Sequence, residues 1–324
     1  MSCDPFIDQH YARHAKHFDN DLVNPERIRI SESWFNDTTA DYWRHARAYE
    51  CADLLTHDLN ASWLTIGDGR WGLDAIRIRK KGFTSVLATD IRESLLCAAK
   101  ERGLINNYSI ENAEKLSFDD RSFDYVFCKE SLHHFPRPYV ALYEMIRVAR
   151  KAVFIIEPND TYRVDSSEIQ GRLFRLITTL LRRGRQRSIS KSEKQKNVNY
   201  AVQYNEPGWE ESGNYVYAIS RRDIEKIALG LNLPQIVMKG LNDHYVKGCE
   251  FEPADEHKSA IFQEIVRVVR DKDELCRQNI CDSNLLMGGF FLESIDEETR
   301  KRFLTSGWDV RDLPANPYIQ RNTR

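Results

Sequence analysis

No stretch of the chain approaches the ~20 consecutive apolar residues that a membrane span needs, and the opening MSCDPFIDQHYARHAK lacks the apolar centre of a secretory signal. Both absences point to a cytoplasmic protein. The seven cysteines are odd in number and scattered, with no C-x-x-C pair, so neither a disulfide framework nor a cysteine-based zinc site is supported. No internal repeat is visible. A net charge of -2 says nothing global about partners, and charge has to be read locally. What is left is an ordinary globular composition, 41% hydrophobic and 30% charged over 324 residues, long enough for one large domain with elaborations.

From about residue 61 to 157, short β-branched or aromatic runs alternate with helical patterns, the signature of a parallel sheet with helices on its faces. The strand candidates are WLTI (63–66), SVLAT (85–89), YSIE (108–111), DYVFC (124–128) and AVFII (152–156). Two more follow later, QIVMKG (235–240) and LLMGGFFLE (285–293), with helices at SRRDIEKIALGLN and around EHKSAIFQEIVRVVRDKDEL. The expected organisation is N-terminal helices over residues 1–60, a core of 61–160 and 215–293, a basic helical insertion at 161–214 and a tail at 294–324. Capping boxes are expected at Asp165-x-x-Glu168 and Ser294-x-x-Glu297. The tail packs on its own core or on a second copy, so an oligomer is compatible with the sequence.

Between the first strand and the first helix of this core stands IGDGRWG, with Gly67, Gly69 and Gly72 in the spacing G-x-G-x-x-G. Such a loop lets backbone N–H groups and a helix start approach a ligand closely. About 20 residues on, an acid should end the second strand and hold ribose hydroxyls, and Asp90 stands there. Together these suit an adenosine-containing cofactor. A pyrophosphate would bring negative charge to the loop, whereas a sulfonium cofactor brings positive charge, so Asp68 within the loop favours the latter.

Four motifs in order, IGDGRWG, ATDI, NAEKLSFDDRSFDYVF and SLHHF, resemble the class I S-adenosylmethionine-dependent methyltransferase family. The resemblance covers about a third of the chain. It implies a Rossmann-like, doubly wound, mostly parallel seven-stranded α/β sheet with helices on both faces, an N-terminal helical extension and a helical insertion after the fifth strand. It also implies S-adenosyl-L-methionine as cofactor, with Gly67 and Gly69 beneath the methionine part, Asp90 on the ribose and Ile91 against the adenine. Asn112 and Ala113 would meet the adenine amino edge, and Lys129 would lie beside the methionine moiety. The chain departs from the family at Thr65, where an acid is usual, at Trp71, where glycine is common, and at Asn112, where aspartate is usual.

Methyl transfer from such a cofactor is an in-line displacement on an activated carbon, so the protein mainly aligns the partners. A hydroxyl acceptor would also need a base, and His133 and His134 after the fourth strand are the candidates. Local packing at a helix start is the competing reading of this pair. His10, His14 and His17 share a helical face but gain no further support as metal ligands, and no metal is expected. The segment from Arg172 to Lys196 holds nine Lys or Arg against one acid, Glu193. A solvated face explains it, as does recognition of an acidic or phosphorylated small-molecule acceptor; nucleic acid is the less favoured partner, since base-stacking aromatics are not evident. The function expected is methyl transfer to a small-molecule or carbohydrate-type acceptor. The alternatives are a nucleic-acid methyltransferase, an NAD-dependent oxidoreductase and a non-catalytic cofactor-binding member.

Overall fold

Trp63, Leu64, Thr65 and Ile66 are all buried, as a strand covered on both faces must be, and this explains why the core strands read as unbroken apolar runs. They form β1 (Trp63–Ile66) of an eight-stranded sheet. The computed structural model describes residues 5–19, 23–160 and 208–321. The other strands are β2 (Val86–Asp90), β3 (Tyr108–Ile110), β4 (Phe123–Lys129), β5 (Ala149–Pro158), β6 (Gln235–Leu241), β7 (Leu285–Phe291) and β8 (Asp309–Asp312). Their order across the sheet is β3-β2-β1-β4-β5-β7-β6-β8. The first five pair in parallel, while β7 runs antiparallel to β5 and β6.

The helices are α1 (Pro5–Asp19), α2 (Pro25–Ser33), α3 (Ala40–Ala46), α4 (Glu50–Leu54), α5 (Leu73–Lys80), α6 (Ser94–Glu101), α7 (Pro138–Val148), α8 (Arg221–Gly230), α9 (Ala260–Arg277) and α10 (Glu297–Thr305). One face of the sheet packs on α7 and α8 through Leu142, Met145, Ile224 and Ala228. The other packs on α4, α5 and α10 through Cys51, Ile78 and Phe303. At 25 cal/mol per Å², each such fully buried large side chain contributes roughly 1.5–3 kcal/mol. The α/β architecture with helices on both faces is the one expected.

Two expectations need correction. All seven expected strands form, but the described residues hold an eighth, because β8 pairs antiparallel with β6. Its sequence, Asp-Val-Arg-Asp, is short and charged, which protects a sheet edge from further pairing and leaves no hydrophobic alternation to read. The tail is therefore partly sheet, and its Phe303 and Trp308 are buried against its own core. The cap of α10 is Asp296, whose carboxylate accepts the Thr299 N–H at 2.8 Å, and not Ser294. Aspartate at this position satisfies the same orphan amides, and Glu297 and Glu298 then sit in the first turn against the helix dipole. The Asp165 box and the basic run 172–196 lie outside the described residues.

The parallel register places Ile66 opposite both Thr89 and Cys128, and Lys129 opposite Ile156. The carboxyl ends of β1, β2, β4 and β5 therefore finish along one edge. The chain reverses its winding direction between β1 and β4, and a crevice outside the strand ends at such a point is where open α/β sheets bind ligands.

Candidate active site

A cleft of about 660 Å³ opens at that edge. Its floor is the glycine loop. Gly67 and Gly72 adopt φ of +70° and +65°, the left-handed region that glycine enters without penalty. Gly69 passes so close to Asp90 that a Cβ there would stand 2.5 Å from the carboxylate carbon. Trp71 also has φ of +66°, a conformation that costs an L side chain about 1–2 kcal/mol. Its indole meets Phe35 edge-on at 6.1 Å and lies under the Arg102 guanidinium at 4.8 Å, contacts that offset the strain.

Asp68 is where the structure departs most from expectation. Its carboxylate accepts the N–H groups of Asp74 at 3.0 Å and Ala75 at 2.9 Å, and the Thr65 hydroxyl at 2.8 Å. The N-cap of α5 is Gly72, which has no side chain to offer, so Asp68 satisfies the orphan amides of the helix start from within the loop. Its charge is engaged inside the protein and not directed at a ligand's ammonium group. Burial, with Asp74 as a second carboxylate nearby, pushes its pKa well up.

Asp90 ends β2 and accepts the Arg92 N–H at 2.9 Å; burial raises its pKa, against the opposing pull of Arg92. Ile91 and Ala113 stand in the cleft wall. Asn112 stands behind it, where its Oδ1 accepts from the Tyr11 hydroxyl at 3.1 Å and from the Glu114 N–H at 2.9 Å. The first of these bonds draws α1 over the site. Lys129 borders the cleft and pairs with Glu130. Burial would raise the Glu130 pKa, but the Lys129 ammonium more than reverses this and keeps it low.

At the far end stand His133 and His134, with ring centroids 4.2 Å apart. They occupy the turn Leu132–His134 that follows β4, and a buried acid at the end of β5 organises it. Glu157 accepts the N–H groups of Ser131 at 3.1 Å and Leu132 at 2.8 Å, and its second oxygen lies 2.6 Å from His133 Nδ1. Burial would lower the His133 pKa, but the Glu157 carboxylate raises it. His134 goes the other way: burial lowers it, against the opposing hydrogen bond to Glu210, whose oxygen is 3.1 Å from Nδ1. The pKa values of adjacent imidazoles are thus pushed in opposite directions, His133 up by Glu157 and His134 down by burial, the kind of separation that marks acid–base pairs.

Sequence reasoning missed Glu157, Glu210 and the Tyr49–Asp74 hydrogen bond that borders the cleft. For Glu157 a signal existed, an acid directly after the apolar run AVFII. The others come from separate parts of the chain and carried none. His14 and His17 line the cleft, His14 with its ring 5.4 Å from His134, while His10 is buried; among the described residues the three do not form a metal-ligating group.

The loop also separates the two classes of adenosine cofactor. In dinucleotide folds the pyrophosphate lies at the helix start, and here the Asp74 and Ala75 amides of that start are already bonded to Asp68. Residues 64–156 match the family model of a methyltransferase domain. Over residues 64–156 the chain carries a methyltransferase domain. The oxidoreductase alternative falls away with this assignment. Among solved structures, the methyltransferase is similar to the YcgJ protein of Bacillus subtilis, at 16% identity over 76% of this chain and 100% of that one, with a TM-score of 0.43. It is also similar to a Thermotoga maritima S-adenosylmethionine-dependent methyltransferase, named a possible histamine N-methyltransferase, at 16% identity over 82% and 99% of the two chains and a TM-score of 0.39. Haemonchus contortus phosphoethanolamine N-methyltransferase 2, solved with S-adenosyl-L-methionine, matches at 16% identity over 72% of this chain and 49% of that one, with a TM-score of 0.42. Among the described residues no helix is long and apolar enough to cross a membrane.

Proposed function

We propose that the enzyme methylates a small-molecule acceptor at an oxygen or nitrogen, and that the acceptor lies at the His133–His134 end of the cleft. The observation that carries this reading is the lining of that cleft. Tyr11 and His14 of α1, and Trp209, Glu210 and Ser212, line it together with the two histidines. A volume of about 660 Å³ falls within the roughly 300–1,000 Å³ typical of small-ligand sites, enough for a cofactor and a compact acceptor. Arg27, Arg70 and His17 also border the cleft, which suits an acidic or phosphorylated acceptor.

In this reading Asp90 holds the ribose hydroxyls, with Ile91 and Ala113 against the adenine and Gly67 and Gly69 beneath the methionine part. Asn112 supports the adenine edge through Tyr11, and Lys129 faces the methionine end. When bound, the cofactor supplies an electrophilic methyl carbon. The protein orients the acceptor and receives its proton at His134, whose neutral imidazole is the better base, while His133 stays fixed to Glu157 as a positioning residue. The N-terminal helices serve as a cover of the cofactor site.

Release of S-adenosylhomocysteine across a panel of sugars, phenols, amines and their phosphorylated forms, set beside RNA and DNA, tests the proposal. Saturable turnover on a small acceptor is expected. Turnover confined to nucleic acid, with strong salt dependence, would overturn it.

A further inference from the structure

Among the described residues, His133, His134 and Glu210 bring three ligand atoms within 4.8 Å of one another. We propose that these three side chains form a seat for a divalent transition-metal ion, zinc above all, and that the ion competes with the proton for His134. Two imidazoles and one carboxylate are a donor set that zinc takes readily, with a fourth position left open.

The surroundings are those of a metal site. His133 gives its Nδ1 to the buried Glu157 at 2.6 Å, which leaves Nε2 for ligation and supplies the carboxylate–histidine–metal arrangement that orients ligating imidazoles. His134 Nδ1 and the Glu210 oxygen are already 3.1 Å apart, close to the ~3.3 Å that separates two ligands of a tetrahedral zinc. An ion therefore replaces the proton these two atoms share. Glu210 is held in place by backbone bonds, its N–H to the Asn214 carbonyl at 3.0 Å and its carbonyl from the Gly213 N–H at 2.9 Å. Asn214 in turn donates to the His133 carbonyl at 3.0 Å, tying the two ligand-bearing segments together. The chemistry balances: the ion enters, nitrogen and carboxylate lone pairs fill its coordination sphere, the His134 Nδ1 proton moves to Nε2, where it fills the lone pair, and the proton of a charged His133 leaves Nε2 for solvent.

The competition rests on the reading of His134 as the proton acceptor. An occupied seat removes the lone pair that turnover needs and leaves the adenosine end of the cleft untouched. Zinc is thus expected to stop methyl transfer without weakening cofactor binding.

The test titrates chelator-stripped full-length protein with Zn²⁺ against a competing dye. One ion per chain is expected, bound more tightly at about pH 7.5 than at about pH 6 because binding expels a proton. Glu210→Gln and His134→Ala should each weaken it at least ~100-fold and Glu157→Gln by about 10–100-fold. Glu210 lies on a surface-proximal turn, so its variant guards against loss of folding. Co²⁺ should give visible tetrahedral bands without thiolate charge transfer. No stoichiometric binding, or binding unaffected by Glu210→Gln, overturns the seat. A thiolate band does the same, since it moves the ion to Cys276 and Cys281, whose sulfurs are 3.8 Å apart. The two readings fail separately. If zinc binds as described but turnover is unchanged, His134 is not the proton acceptor and the competition is wrong. If zinc does not bind and His134→Ala still abolishes turnover, the seat alone is wrong.

Discussion

Glu157→Gln alters one charge and almost nothing of shape, so its effects isolate the electrostatics of the histidine turn. The native carboxylate is fully buried and serves three donors, the Ser131 and Leu132 amides and His133 Nδ1. Glutamine keeps one carbonyl oxygen for the amides but presents an NH₂ group where an acceptor is needed. Removing one member of a buried pair costs about 3–5 kcal/mol. For a chain of 324 residues, an unfolding entropy of about 2.1 cal/mol/K per residue converts this to a fall in Tm of about 4–7 °C. The pH dependence has a definite sign. His133 has a raised folded-state pKa, so its pairing with Glu157 stabilises fully below the unfolded value of about 6.5 and is lost as pH rises through the folded value. The gap between native enzyme and variant is expected to be largest near pH 6 and to narrow toward pH 9. Urea unfolding at a series of pH values measures it. A gap that stays constant or widens with pH, or a Tm shift below about 1 °C, would refute the assignment of Glu157 as the anion that holds His133.

Three further outcomes are expected. Gly69→Ala drives a methyl group to within 2.5 Å of the Asp90 carboxylate, and displacing that side chain should cost the 1.5–3 kcal/mol of a charged hydrogen bond, or about 10- to 150-fold in cofactor affinity by calorimetry; unchanged affinity would separate Asp90 from the ribose. Trp71→Ala keeps the left-handed φ and loses the Phe35 and Arg102 contacts, whereas Trp71→Gly loses the same contacts and relieves the strain. The glycine variant should therefore be the more stable of the two by about 1 kcal/mol in urea denaturation, and the reverse order would mean that Trp71 is not strained. Burial lowers the His134 pKa, so kcat/KM should rise with pH through a midpoint below about 6.5 and be flat around neutrality, with His134→Ala costing about 10²- to 10⁴-fold. A titrating limb above pH 7 in the native enzyme would point to another base.

The strands were legible because β1, β4 and β5 are covered on both faces through their centres, where their sequences are mostly apolar. β8 was not, because a charged edge strand carries no hydrophobic period. The glycine loop and Asp90 were legible for a related reason: a strand, a turn and a helix of fixed length set the distance between them. The direction of Asp68 was hidden, since it depends on where the first amides of α5 point once the loop has closed. The histidine pair was visible as residues but not as chemistry. Its opposite pKa shifts come from Glu157 on β5, which raises His133, and from burial, which lowers His134 against the pull of Glu210.

The sequence by itself determined seven of the strands, and that a glycine loop and an acid would meet at one sheet edge, because those features follow from local periodicity and short covalent spacing. Only the tertiary structure decided which carboxylate caps a helix and which holds an imidazole. Those choices are made by burial and by partners brought from distant parts of the chain, and a buried charge takes its role from the groups around it.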